Sequence, residues 1–386
     1  MSLRNQKTVQ DRREYIEKLK GVNLHAVGEY PKGLDEAQNK NCENMVGATS
    51  VPLGVAGPLL IHGEYARGEF YLPLATTEAA LVASVNRGCK AITTSGGVEV
   101  VSHYAGQTRA PVFKTSSLKE SKAFQIYIKN HISELKNIAT TTSSHLSLLD
   151  AVTQLVGNNV YVRFRFDTFD AMGMNMVTNA ADIIAKHLEK KCPVHCIAVG
   201  GNFDVDKKPS WLNIISGRGR QVWAQATLAA DVTNEVLKTT AQKIHQVVID
   251  KCLIGSAISG SMGFNAHFAN VVAALFIACG QDAAHICEGS CGITTTELND
   301  GALRASIFLP DLPVGTVGGG TSLPAQKEAL SLLGVYGGDK GRNASIFAEI
   351  VAAAVLAGEL SLLSAHAQGS LASSHQRLSG KLKSLK

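Results

Sequence analysis

Aromatic side chains are scarce in this chain, 6% of 386 residues, so large rings are not what fills its interior. Glycine is abundant instead, at 36 residues, which points to close backbone approaches and elements packed through small side chains. Long hydrophobic runs are also missing. Val271–Cys279 and Ile350–Gly358 are the longest, and they stop short of the roughly 18 residues that a membrane span needs. The opening stretch Met1–Leu19 is charged throughout, unlike a secretory leader. A cytoplasmic protein without a membrane span is expected. Neither sign of charge is in large excess: 37 basic residues face 32 acidic ones, for a net charge of +5. That bias favours an anionic small-molecule ligand and is too weak and scattered for nucleic acid. With 45% hydrophobic and 18% charged residues the chain is not disordered, and at about 150 residues per domain it makes two or three domains.

The eight cysteines do not form a disulfide framework in a chain this long. Two pairs, Cys192/Cys196 around His195 and Cys287/Cys291 near His285, would make a zinc site only by converging, and their spacing is wider than the usual structural one. Buried reduced thiols, and no metal, are the expectation.

An amphipathic helix, Val9–Lys20, opens the chain. From Asn44 a Gly/Pro-punctuated apolar stretch reads as short strands and turns. Thr76-Thr77-Glu78 then caps a helical run, Ala79–Ile92. Beyond Pro111 come a Lys-rich helix Leu118–Ile138, an alternating strand Asn159–Phe166, a helix Gly173–Lys190 and a strand His195–Val199. This block reads as a small α+β domain inserted into a larger one. The larger part resumes with helix Val232–Asp250 and the apolar helix Phe264–Cys279, which should lie buried at its centre. Strands Gly292–Leu298 and Ala302–Leu309 follow, then an Ala/Leu helix Asn343–Ala367 and a Ser/Lys-rich tail.

Five places are costly to explain as structure alone. Glu78 stands at the mouth of a helix that also carries Asn86, Arg87 and Lys90. Asp206-Lys207-Lys208-Pro209 forms a charged turn, and His267 and Asn270 sit three apart on one face of the apolar helix. Asp282 follows that helix, where the C-terminal dipole and burial should raise its pKa. The Gly/Met-rich stretches Asp170–Met176 and Gly315–Thr321 complete the set; neither is a Rossmann fingerprint, though Gly173 before a helix could bring N–H groups to a phosphate. Each taken alone reads better as a cap, a turn or core. Together they supply what carbonyl reduction requires: a cation to polarise C=O, an acid to protonate the alkoxide, and a nucleotide site.

These strings also carry a resemblance. ENMVG (Glu43–Gly47), PLGVAGPL (Pro52–Leu59), ATTEAALVASVNRGCKAI (Ala75–Ile92), DAMGMNM (Asp170–Met176), DKKP (Asp206–Pro209), GFNAHFAN (Gly263–Asn270), GQDAA (Gly280–Ala284), GTVGGGT (Gly315–Thr321) and AGELSL (Ala357–Leu362) occur in order from about Arg12 to His375. The pattern resembles the 3-hydroxy-3-methylglutaryl-coenzyme A (HMG-CoA) reductase family, class I, catalytic portion.

The resemblance implies four-electron reduction of HMG-CoA to mevalonate and CoA by two NADPH. It makes Lys207 the oxyanion-stabilising lysine, Glu78 the acid, Asp282 the carboxylate that tunes the pair, and His375 the acid for the departing CoA thiolate. Arg109, Asp206, Lys208, Lys251, His267 and Asn270 would hold the hydroxymethylglutaryl group, and Ser84, Asn86, Arg87, Lys90 and Lys238 the CoA. The nucleotide loops would be Asp170, Met172, Gly173, Met174, Asn175 and Met176 with Val317, Gly318 and Gly319.

The implied fold is α+β. A large, mostly helical domain with a buried central helix (41–110 and 199–368) carries an inserted ferredoxin-like nucleotide-binding domain (111–198), between an N-terminal segment (1–40) and a tail (369–386). The implied assembly is a homodimer or homotetramer with active sites at the subunit interface. Three departures matter. Ser143-Ser144-His145 stands where many members have Ser-Arg for the 2′-phosphate, so NADH is possible and Arg377 is the substitute cation. Gly200 replaces a serine before DKKP, and the tail after His375 lacks the pattern of a regulatory phosphoserine. The alternatives are NAD-linked mevalonate oxidation and a CoA-binding protein without turnover.

Overall fold

The computed structural model describes residues 3–369, so the expected tail positions His375 and Arg377 lie outside the described residues. Eleven strands form one open mixed sheet. In chain order they are β1 (Leu53–Gly63), β2 (Arg67–Ala75), β3 (Val98–Arg109), β4 (Val112–Lys114), β5 (Ser147–Val156), β6 (Asn159–Asp167), β7 (His195–Ala198), β8 (Arg218–Leu228), β9 (Gly263–Phe264), β10 (Gly292–Asn299) and β11 (Ala302–Leu312). The α+β expectation holds. β3 joins the two parts of the sheet: Glu99–Gly106 pair with β8, and Gln107–Arg109 pair with β6. Pro111, which has no N–H to donate, breaks the ladder before β4.

β4 pairs with β6 and β7, and β5 lies along the other edge of β6, all antiparallel. Helices Leu118–Asn130 and Ile132–Thr140 fall between β4 and β5, and helix Met174–Lys191 between β6 and β7. The order β7-β4-β6-β5 with these connections is the ferredoxin-like split βαβ arrangement. A separate core fills it, with Phe113, Phe164, Phe166, Ile184 and Leu188 fully buried.

The remaining strands enclose a larger core. β8 alternates Val222, Ala224, Ala226 and Leu228 inward with Gln221, Trp223, Gln225 and Thr227 outward. On the outward side Val101, Trp223 and Phe308 stand opposite one another across three strands, with the Trp223 and Phe308 rings stacked 5.0 Å apart.

Against the inner face lies helix Arg342–Ala367. An 18-residue window of it, with mean hydropathy 2.0, is long and apolar enough for a membrane span by length and composition, but 89% of that window is buried in protein, as a core helix is. Two glutamates within it are fully buried. Glu349 accepts hydrogen bonds from the Tyr65 and Ala66 N–H groups and the Ser102 hydroxyl, pinning the β1–β2 turn to β3. Glu359 accepts from the Ala266 and His267 N–H groups and Thr294 Oγ1, fixing the entry to helix Phe268–Ala278. Such satisfaction is what lets a carboxylate sit in a core. Gly88, on helix Leu81–Thr94, lets the two helices touch backbone to backbone: a Cβ there would stand 1.8 Å from the Ala357 carbonyl oxygen.

Several expected elements are shorter. Leu118–Ile138 breaks at His131, and the apolar helix begins at Phe268 instead of Phe264. Val232–Asp250 divides into Ala230–Glu235 and Ala241–Val247, the second continuing as a wider turn over Val248–Gly255. Lys238, with φ of +58°, lies in the gap.

Candidate active site

The DKKP turn lies between β7 and helix Trp211–Ser216, and its backbone is strained. Asn202, Val205 and Lys207 take φ of +64°, +51° and +57°, a region that costs a residue with a Cβ about 1 kcal/mol or more. The conformation delivers Lys207 Nζ to Asp282 Oδ2 at 2.7 Å, while the Lys207 N–H donates to Glu288 Oε1 at 3.0 Å. Asp282 does not face the end of the preceding helix. It caps the next turn, Ala283–His285, by accepting from the Ala284 N–H at 3.0 Å. Its pKa is therefore lowered, not raised as the sequence reading had it. Burial pushes the carboxyl up, but the Lys207 and Ala284 hydrogen bonds and the charges of His285 and Lys207 outweigh it.

A cavity of about 1180 Å³, above the roughly 300–1,000 Å³ usual for small-molecule sites, reaches the DKKP turn at Pro209, though neither Lys207 nor Asp282 lines it. Glu78, Ser84, Arg87, Lys251, His267 and Asn270 line it, with Pro209 at the DKKP end. Thr76 does not cap the helix as expected. Its hydroxyl accepts from the Glu78 N–H at 2.9 Å, and the helix begins at Leu81 behind Ala80, whose φ is +71°. Glu78 Oε1 accepts from Asn270 Nδ2 at 3.2 Å. His267, the residue before helix Phe268–Ala278, has its Nε2 buried without a hydrogen-bond partner. Ser84 and Arg87 both bond to Ser361 on the central helix.

The other expected contacts stand elsewhere. Asn86 Oδ1 accepts from the Gly57 N–H, and neither Asn86, Lys90 nor Lys238 lines the cavity. Arg109 is held by Asp204 at 2.9 Å and by Thr178, and Lys208 is exposed, bonded to the Asp206 carbonyl. His366, which the sequence reading did not single out, also lines the cavity; burial, Lys251 and His267 lower its pKa.

The two glycine-rich loops come together. The Thr316 N–H donates to the Asp170 carbonyl at 2.8 Å, and Ala171 bridges Val317. Gly318 and Gly319 have φ of +77° and +52°, with open space where a Cβ would be. Gly173, φ +83°, precedes helix Met174–Lys191, whose first turn has no side-chain cap, so its N–H groups suit a phosphate. Asp170 itself is buried, its carboxylate accepting from the Asp339, Gly341 and Ala344 N–H groups. It shapes the loop and starts the central helix, leaving no free carboxylate for a nucleotide. Ser143 and Ser144 flank an exposed turn, bonded to His145.

A buried polar network beneath Lys207 escaped the sequence reading. Arg218, fully buried, pairs with Asp206 and Glu288 at 2.8 Å each. Burial pushes Asp311 up to about 7, against the opposing charge of Arg218. Charged residues inside apolar strands, Arg218 in GRGR and Asp311 in FLPDLPV, were the available signal. The cysteine pairs stay apart: Cys192 and Cys196 pack on the smaller core, Cys291 lines the cavity, and all eight thiols are free.

The family model described as hydroxymethylglutaryl-coenzyme A reductase matches residues 8–380. The HMG-CoA reductase of Methanocaldococcus jannaschii is 51% identical over 373 residues, covering 95% of this chain and 91% of that protein. That of Aeropyrum pernix is 50% identical, covering 95% and 88%. Among solved structures, the class II reductase of Streptococcus pneumoniae bound to NADPH superposes with a TM-score of 0.68 at 20% identity, covering 94% of this chain and 98% of that one. The chain belongs to the hydroxymethylglutaryl-coenzyme A reductase family.

Proposed function

We propose that this protein reduces (S)-HMG-CoA to (R)-mevalonate and CoA with two NADPH, in the mevalonate route to isoprenoids. The Lys207–Asp282 ion pair, in a turn whose Pro209 lines the same cavity as Glu78, is the observation that carries this reading. NADPH, when bound, supplies one hydride in each of two rounds. The paired glycine loops and the uncapped helix behind Gly173 fit such a nucleotide. Lys207 Nζ stabilises the oxygen that gains charge as the thioester carbonyl is reduced, and Asp282 keeps Nζ aimed. Glu78 supplies the proton for that oxygen. Collapse of the hemithioacetal breaks the C–S bond, and His375 protonates the thiolate. The free aldehyde then takes the second hydride and a proton to become the alcohol. Lys251, His267 and Asn270 hold the hydroxymethylglutaryl end, and Ser84 and Arg87 begin the path for CoA.

The strings ATTEAAL and DAMGMNM support a class I assignment, and the 20% identity to the class II structure accords with it. The outward row Val101, Trp223 and Phe308 supports assembly into dimers or tetramers, because large apolar side chains left in a row on a sheet face favour a partner. Eight free thiols accord with a reducing cytoplasm. The test is HMG-CoA-dependent oxidation of NADPH and NADH at equal concentration by the purified protein. Faster oxidation of NADPH is expected; no oxidation of either sinks the reading.

A further inference from the structure

We propose that His285 is a positioning residue for the Lys207–Asp282 pair: Glu288 holds its Nδ1, and its Nε2 carries a proton toward Asp282 and keeps that carboxylate ionised. The inference rests on the reductase reading, since it concerns the same site.

His285 is fully buried. Its Nδ1 lies 2.6 Å from Glu288 Oε1. That oxygen also accepts from the Lys207 N–H at 3.0 Å and from Arg218 Nη1 at 2.8 Å. An oxygen with three donors around it is a carboxylate oxygen, so Nδ1 is the donating nitrogen of the ring. Among the described residues Nε2 is buried with no hydrogen-bond partner, yet it faces Asp282 Oδ2 at 3.7 Å and Asp206 Oδ1 at 3.9 Å. A bare lone pair there would point at two carboxylates in a water-poor setting; an N–H turns the same geometry into attraction.

Charge balance argues the same way. Asp206, Asp282 and Glu288 surround the ring, and among the described residues Lys207 and Arg218 are the cations that contact them at 2.7–2.8 Å; a protonated Nε2 adds a third positive neighbour. Asp311, 3.8 Å from Arg218, is a further neighbour that also feels the buried Arg163 guanidinium, and burial favours its neutral form. Arg109, 3.9 Å from the other oxygen of Asp206, is already matched by Asp204. The ligand atoms of Asp206, His285 and Glu288 lie within 4.8 Å of one another, a spacing that also suits a divalent cation. Arg218 contacts both carboxylates at 2.8 Å, so the positive charge between them is its guanidinium.

The ring acts through Asp282 and lies behind it in the protein interior. Losing it should therefore change turnover and its pH dependence and spare substrate affinity. His285→Gln keeps a donor for Glu288 and removes the charge behind Asp282. Removing a cationic neighbour raises a carboxyl pKa, so the acidic limb of kcat should move up by about one pH unit, with the loss of kcat confined to the acid side of the profile. KM for HMG-CoA should change by less than about twofold. In an Asp282→Asn background, which has no carboxyl at 282 to titrate, the same change should alter the remaining pH profile no further. An active His285→Gln enzyme with an unmoved limb overturns the proposal, as does a raised KM at unchanged kcat. Independently of any variant, nitrogen-15 spectra of the wild-type histidine rings should include a buried ring protonated on both nitrogens at neutral pH; if every buried ring has a bare nitrogen, the proposal fails. A wild-type protein that oxidises no NADPH with HMG-CoA fails the reductase reading instead, and the two failures are distinct.

Discussion

Lys207 owes its place to a strained backbone, φ +57°, and to two carboxylates, Asp282 on its ammonium and Glu288 on its N–H. A lysine so fixed has little left to reorganise when negative charge appears on a bound carbonyl. Lys207→Ala should cost about 3–4 kcal/mol of transition-state stabilisation, or 10²–10³ in kcat, with circular dichroism unchanged. A folded variant that keeps more than about a tenth of the activity denies it that role. Asp311 gives a second test. A carboxyl raised to about 7 by burial binds a proton in the folded state that the unfolded chain, near 3.9, has released. Its stabilising contribution is full below the unfolded value and is lost as pH rises toward about 7. Wild type should therefore lose stability over that window relative to Asp311→Asn, measured by urea midpoints; parallel profiles contradict the raised pKa. The residues expected at the site were legible because Glu78, Lys207, His267, Asn270 and Asp282 sit in strings whose polar members are costly to explain as structure alone. The structural role of the Asp170 carboxylate was not legible, because its partners, the N–H groups of residues 339, 341 and 344, lie far along the chain. Arg218, His285 and Glu288 went unseen as a cluster for the same reason.

At the scale of elements, the helices were the legible part. Thr8 and Asp11 form a reciprocal cap on Val9–Lys20, and the apolar runs of Met174–Lys191 and Arg342–Ala367 announce buried faces. The strands β3, which joins the two parts of the sheet, and β8, its neighbour, were not legible. β8 fills its inner face partly with alanine and carries Trp223 outward, so hydrophobicity gives no clean alternation. The long charged helices failed at residues that local patterning ignores, His131 and Lys238. The contact of Leu81–Thr94 with Arg342–Ala367 depends on a missing side chain. At Gly88 the obstacle to a Cβ is the Ala357 backbone, which cannot swing aside as a flexible side chain would. Gly88→Ala should destabilise the fold by about 1–3 kcal/mol. It should also depress activity, because Ser84 and Arg87 on that helix line the cavity. A urea midpoint equal to wild type would show that the helices separate without cost.

For the whole molecule, the site draws on widely separated parts of one sheet. The proposed nucleotide loops come from the end of β6 and from beyond β11, the proposed catalytic lysine from the turn after β7, and the proposed acid from the segment between β2 and helix Leu81–Thr94. The outward row on β3, β8 and β11 leaves Val101 and Trp223 exposed to water. Gel filtration should give a dimer or larger, and Trp223→Glu should shift it toward monomer; an active wild-type monomer, or an unmoved variant, contradicts the assembly. The most direct test of the central claim counts electrons: NADPH oxidised per CoA released and mevalonate formed, by the purified protein with HMG-CoA as the sole acyl donor. A ratio of about two NADPH per mevalonate is predicted, because thioester to alcohol takes two hydrides. A ratio near one with an aldehyde as product, or CoA release without NADPH oxidation, would contradict it.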